Sequence, residues 1–190
     1  MYWTVIYFLL FFSLNATHAQ EDSASDVSSA KPTTQIFAHF MPWFEADVEN
    51  EKWGYHWTMN SVDPKQFDTN VSNGRRKIAA HYYPKIGTYD SADDAVLEYQ
   101  LLLMKLAGID GVIVDWYGSK DHFDYALLHS NTVKLAEYTQ GLGLKFAVCY
   151  EDQTIPNLVA GGKVDASAVV DHAVSAVSYT HLTLPTTPYV

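Results

Sequence analysis

AGIDGVIVDWYGSKD, residues 107–121, is the stretch whose reading decides the fold. Val112-Ile113-Val114 is apolar without a break and then meets Asp115-Trp116-Tyr117-Gly118. A strand covered on both faces reads as such a run. A carboxylate and two rings at its tip are placed to meet something outside the core. Upstream, Ser91 with Asp94 resembles a capping box, and Asp93-Asp94 suits a helix N-terminus. Val96, Tyr99, Leu103 and Leu106 then recur at helical spacing, and Gly108 is placed to end that helix. Downstream, a second helix is predicted near residues 131–140, stopped by Gly141-Leu142-Gly143, and Phe146-Ala147-Val148-Cys149-Tyr150 reads as the next strand. Asp165 can cap a third helix through Val169, Val170, Ala173 and Val174.

An earlier strand, Ile36-Phe37-Ala38-His39-Phe40, is closed by Met41-Pro42-Trp43-Phe44. Residues 45–89 then form an excursion too long for a passive connection, with Ile78-Ala79-Ala80-His81-Tyr82-Tyr83 a candidate short strand inside it. Alternating apolar strands and helices imply a parallel sheet. The step from Val112 to Phe146 is 34 residues, close to the about 31 of a barrel unit. A doubly wound sheet would alternate similarly, but its first strand-to-helix turn would carry a Gly-rich phosphate loop, and none is present. The predicted fold class is therefore α/β, a (β/α)8 barrel, with about three units present.

Of the 190 residues, 48% are hydrophobic and 14% aromatic, enough for a sizeable core, and the formal charge is −10. That charge argues against nucleic acid and anionic membranes as partners. Residues 1–19 read as a signal peptide, with a short apolar run and Thr17-His18-Ala19 as a small-x-small cleavage pattern. The start carries no Lys or Arg, so an uncleaved anchor is the alternative. A secreted or periplasmic location, with no membrane contact after cleavage, is expected. Residues 20–35 look like a flexible linker and residues 36–176 like the barrel portion. Residues 177–190, VSYTHLTLPTTPYV, resemble translated adapter read-through and are set apart as non-native; the third helix is expected to stop there. The lone cysteine, Cys149, excludes an internal disulfide and reads as a buried small hydrophobe rather than a nucleophile. Asn70-Val71-Ser72 matches a glycosylation acceptor.

In a barrel the chemistry sits at the C-terminal ends of the strands. Three such ends offer His39, Trp43 and Glu45; Asp115, Trp116 and Tyr117; and Tyr150, Glu151 and Asp152. Rings beside acids suit a sugar, whose C–H face stacks on an aromatic ring while its hydroxyls bond carboxylates. Glycosidic cleavage commonly needs two carboxyl groups. Strand alternation puts Ala147, Cys149 and Glu151 on one face, so Glu151 is expected in the barrel mouth. Asp115 and Trp116 cannot both point inward unless the strand ends between them. The structural alternatives are that Asp115 and Glu151-Asp152 cap loop amides, and that Trp43, Trp53 and Trp57 roof the barrel. His39, His56 and His81 lack metal-ligand spacing, so no metal is expected. His122 and His129 read as solvated. A monomer without cofactor, meeting only carbohydrate, is expected.

HFMPWFE, WGYHWTMN, HYYPKIGTYDSADDAVLEYQLLLMKLAGIDGVIVDWYG and KFAVCYEDQT together resemble glycoside hydrolase families 71 and 99, most of all the bacterial group related to both. The resemblance implies a (β/α)8 barrel cleaving α-linked polymers, α-mannans for family 99 or α-1,3-glucans for family 71, without a metal. By position, Trp116 matches an aromatic flooring a sugar subsite, and Glu151 matches an acid at a strand tip. His56 and the His81-Tyr82-Tyr83 group match loop positions that line the cleft, and Trp57 is a further candidate substrate contact. Asp115 stands where family 99 usually has a small residue. The main catalytic carboxylates implied by the resemblance belong to an Asn-Glu-Trp-x-Glu-Gly-like segment that this chain does not contain. The chain as it stands is therefore expected to be inactive. The competing readings are a non-catalytic carbohydrate-binding barrel and a metal-assisted esterase.

Overall fold

The computed structural model describes residues 34–70 and 74–183; the predicted signal peptide, most of the linker, the end of the Thr/Pro string and part of the glycosylation motif lie outside the described residues. Strand β1 (Phe37–Phe40) opens the domain, followed by a small antiparallel hairpin of β2 (Ala46–Asp47) and β3 (Lys52–Trp53) and by the single-turn helix α1 (Tyr55–Thr58). The regular alternation then runs α2 (Asp94–Leu106), β4 (Gly111–Trp116), α3 (Tyr125–Gly141), β5 (Lys145–Tyr150), α4 (Thr154–Ala160) and α5 (Val169–Thr183).

Three strands form one parallel sheet in the order β1-β4-β5. Val112 lies opposite Ala38 on one side and Phe146 on the other, so the 34-residue step seen in the sequence is the register itself. Gly111 permits that pairing: a Cβ there would overlap the Lys145 carbonyl oxygen and come 2.7 Å from the Phe37 ring. Leu97 and Leu101 of α2, Leu135 and Ala136 of α3, and Val112, Val114 and Phe146 of the sheet make one core. Both helices thus cover the same face, and the strands follow chain order. A doubly wound sheet reverses its order and carries helices on both faces. The arrangement is an arc of a barrel-like α/β fold.

Several details differ from the sequence reading. Ser91 is not the cap of α2. Its Oγ accepts from Phe44 N at 3.0 Å and its own N–H donates to Phe44 O at 2.7 Å, so the hydroxyl is bound to the excursion. Asp93 caps instead, accepting from Val96 N at 3.1 Å. The face of α2 that packs is Leu97-Leu101-Met104, while Tyr99, Leu103 and Leu106 are exposed. Helix α3 starts six residues before the predicted 131, at Tyr125. Residues 78–83 form no strand: pairing ends with the Phe67–Arg76 bridge and the Lys77 N–H to Gln66 O bond, after which the chain bends. Asp165 caps a 3-10 turn over Ala166–Ala168, and α5 continues past residue 177 to Thr183.

Side chains along β4 alternate between the helices and the opposite face. Val112, Val114 and Trp116 lie on the helix side, all at 0% exposure. Because Trp116 fills the core beneath α3, Trp116→Ala is expected to lower the unfolding free energy by about 3–5 kcal/mol. Urea unfolding measures this; a stability loss below about 1 kcal/mol would show that the ring is not part of the core.

Candidate functional site

The strand does not end between Asp115 and Trp116; β4 runs through Trp116, which pairs with Tyr150. The two side chains therefore take opposite faces. Trp116 Nε1 donates to His129 Nδ1 of α3 at 3.2 Å, and its ring lies 5.8 Å from that of Tyr150. In this chain Trp116 is a sealed ring at 0% exposure, on the helix side of the sheet. His129 is likewise not solvated: burial holds its imidazole toward the neutral form, the form that accepts from the indole N–H.

On the face away from the helices, Asp115 is only 6% exposed and accepts from Tyr117 Oη at 3.0 Å. Burial raises the Tyr117 pKa most, followed by that hydrogen bond and by the negative charges of Asp115 and Glu151. The phenol stays a hydrogen donor, bonded to Asp115 and within the field of Glu151. Its ring stacks on Tyr125 at 5.2 Å and 21°, and Tyr125 Oη accepts from Asn157 Nδ2 at 2.9 Å. Glu151 follows β5; its N–H donates to Trp116 O and its carboxylate accepts from Gln153 N, both at 3.0 Å. That second bond is the loop-capping role weighed for this residue, and it occupies one carboxylate oxygen. Asp152 is exposed beside it. Acid and ring from the tips of two adjacent parallel strands thus meet around Tyr117.

A second group is built where the excursion folds back on the tip of β1. His56, on α1, stacks on Trp43 at 4.3 Å and 12°, and its Nε2 pairs with Asp124 Oδ2 at 2.9 Å. His56 Nδ1 is buried without a hydrogen-bond partner among the described residues. The bond to His56 is the main reason the Asp124 carboxyl is held below its usual range. Glu45 lies against Gly54, whose lack of a Cβ makes room for its carboxylate. Burial raises the Glu45 pKa first, then the charges of Asp90 and Asp124, with His56 opposing. Asp90 is itself fixed by the amides of Ala46 and Ala92. Since Asp124 and Tyr125 are consecutive, the start of α3 joins this group to the one around Tyr117.

The remaining expected residues sit elsewhere. Trp57 is 0% exposed, packed against Phe44 at 4.0 Å with its Nε1 donating to Tyr89 O, so it is a core ring. His81 and Tyr82 are exposed and contact each other at 4.5 Å. Tyr83 Oη accepts from Arg76 N and its ring lies under Arg75, so that group is organised within the excursion. Cys149 is exposed, not buried, on the face away from the helices. His122 is half-buried; its ring is wedged against Gly161, where a Cβ would stand 2.5 Å away. Asp124, Tyr125 and Asn157 went unnoticed in the sequence. An acid placed before an aromatic-led helix was the available signal for the first two, hidden by the late predicted start of α3.

No curated protein matches the chain. Among solved structures it is similar to the family 99 endo-α-mannosidase from Bacteroides thetaiotaomicron in complex with bis-tris-propane, at 18% identity and a TM-score of 0.50. A second structure of the family 99 endo-α-mannosidase from that organism matches at 14% identity and a TM-score of 0.50. In both cases 82% of this chain is covered, and it spans 39% and 42% of theirs. At such identities the likeness concerns the fold. The family model for glycosyl hydrolase family 99 matches residues 33–152, well over half of the sequence. On that match, the chain belongs to glycosyl hydrolase family 99.

Proposed function

We propose that this chain forms part of the sugar-binding wall of a secreted glycoside hydrolase acting on α-linked mannose polymers or oligosaccharides. The observation that carries the reading is the grouping of Asp115, Tyr117 and Glu151 at the tips of β4 and β5, inside the family match. Two carboxylates near a phenol whose own proton is held by Asp115 present acceptors to sugar hydroxyls. The half-buried rings of Trp43 and Tyr117 supply apolar surface nearby. Trp116 supports Tyr150 and α3 from behind and does not itself meet substrate.

The 190-residue chain is expected to bind α-mannooligosaccharides and not to cleave them. Glu151 is partly occupied by its own turn and Asp115 by Tyr117, so the pair does not supply the free acid and base that cleavage commonly needs. Isothermal titration should show Asp115→Asn weakening binding about tenfold, a loss of roughly 1.4 kcal/mol. That substitution keeps an acceptor for Tyr117, so folding is preserved. Unchanged affinity would remove Asp115 from the site, and release of reducing sugar from α-mannan would overturn the prediction of inactivity.

Glu45 adds a pH-dependent test. Its folded-state pKa lies above the ordinary 4.5, so its ionisation opposes folding. Below the ordinary value both states keep the proton and the cost is absent; as pH rises through the folded value the cost becomes complete. Asp124, with a lowered pKa, has the opposite sign and stabilises above its ordinary 3.8. Glu45→Gln is therefore expected to raise Tm at pH 7, with the gain fading toward pH 4, while weakening sugar binding. A variant less stable at pH 7 than the parent would show that the Glu45 charge is a structural partner.

A further inference from the structure

Between the two groups runs the loop of residues 118–124, which leaves β4 at Gly118 and enters α3 through Asp124. Phe123 on this loop is 74% exposed. Its backbone sits at φ 51°, in the left-handed region. That region is costly for a bulky side chain, and such strain persists only where the surroundings enforce it. They do so here on both sides. His122, immediately before, is wedged onto Gly161 and lies 4.0 Å from the Phe123 ring. Asp124, immediately after, is bonded to His56 at 2.9 Å, and Tyr125 meets the Phe123 ring edge-on at 5.7 Å and is locked by its stack on Tyr117.

The loop thus holds an apolar ring in solvent with a strained backbone. Burial does not explain it, because most of the ring meets water. Ser119, Lys120 and Asp121, exposed on the same loop, put donors and acceptors beside the ring. We propose that Phe123 is the stacking platform of an outer sugar subsite, taking the C–H face of a pyranose beyond the one met by Asp115 and Tyr117. The inference rests on the carbohydrate reading above and extends it to chain length: the site prefers oligosaccharides long enough to reach the rim. Because the ring is fixed before binding, little conformational freedom is lost when a sugar stacks on it.

The test compares α-mannobiose with α-mannotetraose on the unaltered chain and on Phe123→Gly and Phe123→Trp. Glycine adopts positive φ at no steric cost. Phe123→Gly should therefore raise Tm by about 2 °C or more. The same variant should lose about tenfold in tetrasaccharide affinity, about 1.4 kcal/mol, with the disaccharide unaffected. Phe123→Trp should keep tetrasaccharide binding. Equal tetrasaccharide affinity in Phe123→Gly overturns the subsite, and so does a fall in Tm, which would make the ring a packing element. If the unaltered chain binds the disaccharide and not the longer sugar more tightly, the subsite alone is lost. If it binds neither, the carbohydrate reading fails and the subsite with it.

Discussion

The alternation of side chains along β4 is the constraint from which the rest of this structure follows. As the central strand it is hydrogen-bonded to β1 over residues 111–114 and to β5 over residues 111–116, so its pleat cannot turn without breaking both ladders. The helices require Val112 and Val114 on their side, and Trp116 must follow them. Asp115 is then sent to the opposite face, where it accepts from Tyr117, whose phenol also feels the charge of Glu151. The position of the acid is a consequence of the core, since any slip that freed Asp115 would bury it under α3.

The excursion is held by the same economy of contacts. Ser91 and Phe44 bond each other twice, Asp90 receives the Ala46 amide, and Asn131 Nδ2 of α3 donates to Pro42 O at 2.8 Å in a buried spot. These bonds satisfy backbone groups at the tip of β1 that would otherwise be stranded when α3 covers them. They also bring α1 to the start of α3, where His56 meets Asp124. A connection that looks irregular in the sequence is a built wall.

What was legible in the sequence was what depends on local pattern. The apolar runs became β1, β4 and β5, the step of 34 became the register, and Gly108, at φ 78°, ends α2 as its place predicted. What failed depended on which partner a residue would find. Ser91 looked like a cap because the amide of Phe44, 47 residues earlier, is invisible to local reading. The packed stripe of α2 was misread because Leu97-Leu101-Met104 and Tyr99-Leu103-Leu106 have the same helical spacing, and only the sheet chooses between them. His129 was dismissed for want of neighbours that arrive from β4 thirteen residues away. The site was half visible for the same reason: acids and rings at strand tips could be seen, but which face each took was decided by the core.

Glu45 and Phe123 each run against stability in their own way. A carboxyl with a raised pKa, surrounded by Asp90 and Asp124, opposes folding when charged. An exposed phenylalanine at positive φ strains the backbone and leaves apolar surface in water. On the sealed side of the sheet Leu, Val and Trp116 are closely packed, and the buried hydroxyl of Tyr150 lacks a partner among the described residues. Folding alone would favour a neutral group at the first position and a glycine at the second. Both costs fall on segments joined through Asp124, beside the strand tips where this fold does its chemistry. A charge and a ring held against folding preference on neighbouring segments are what the proposed sugar-binding reading asks of this rim.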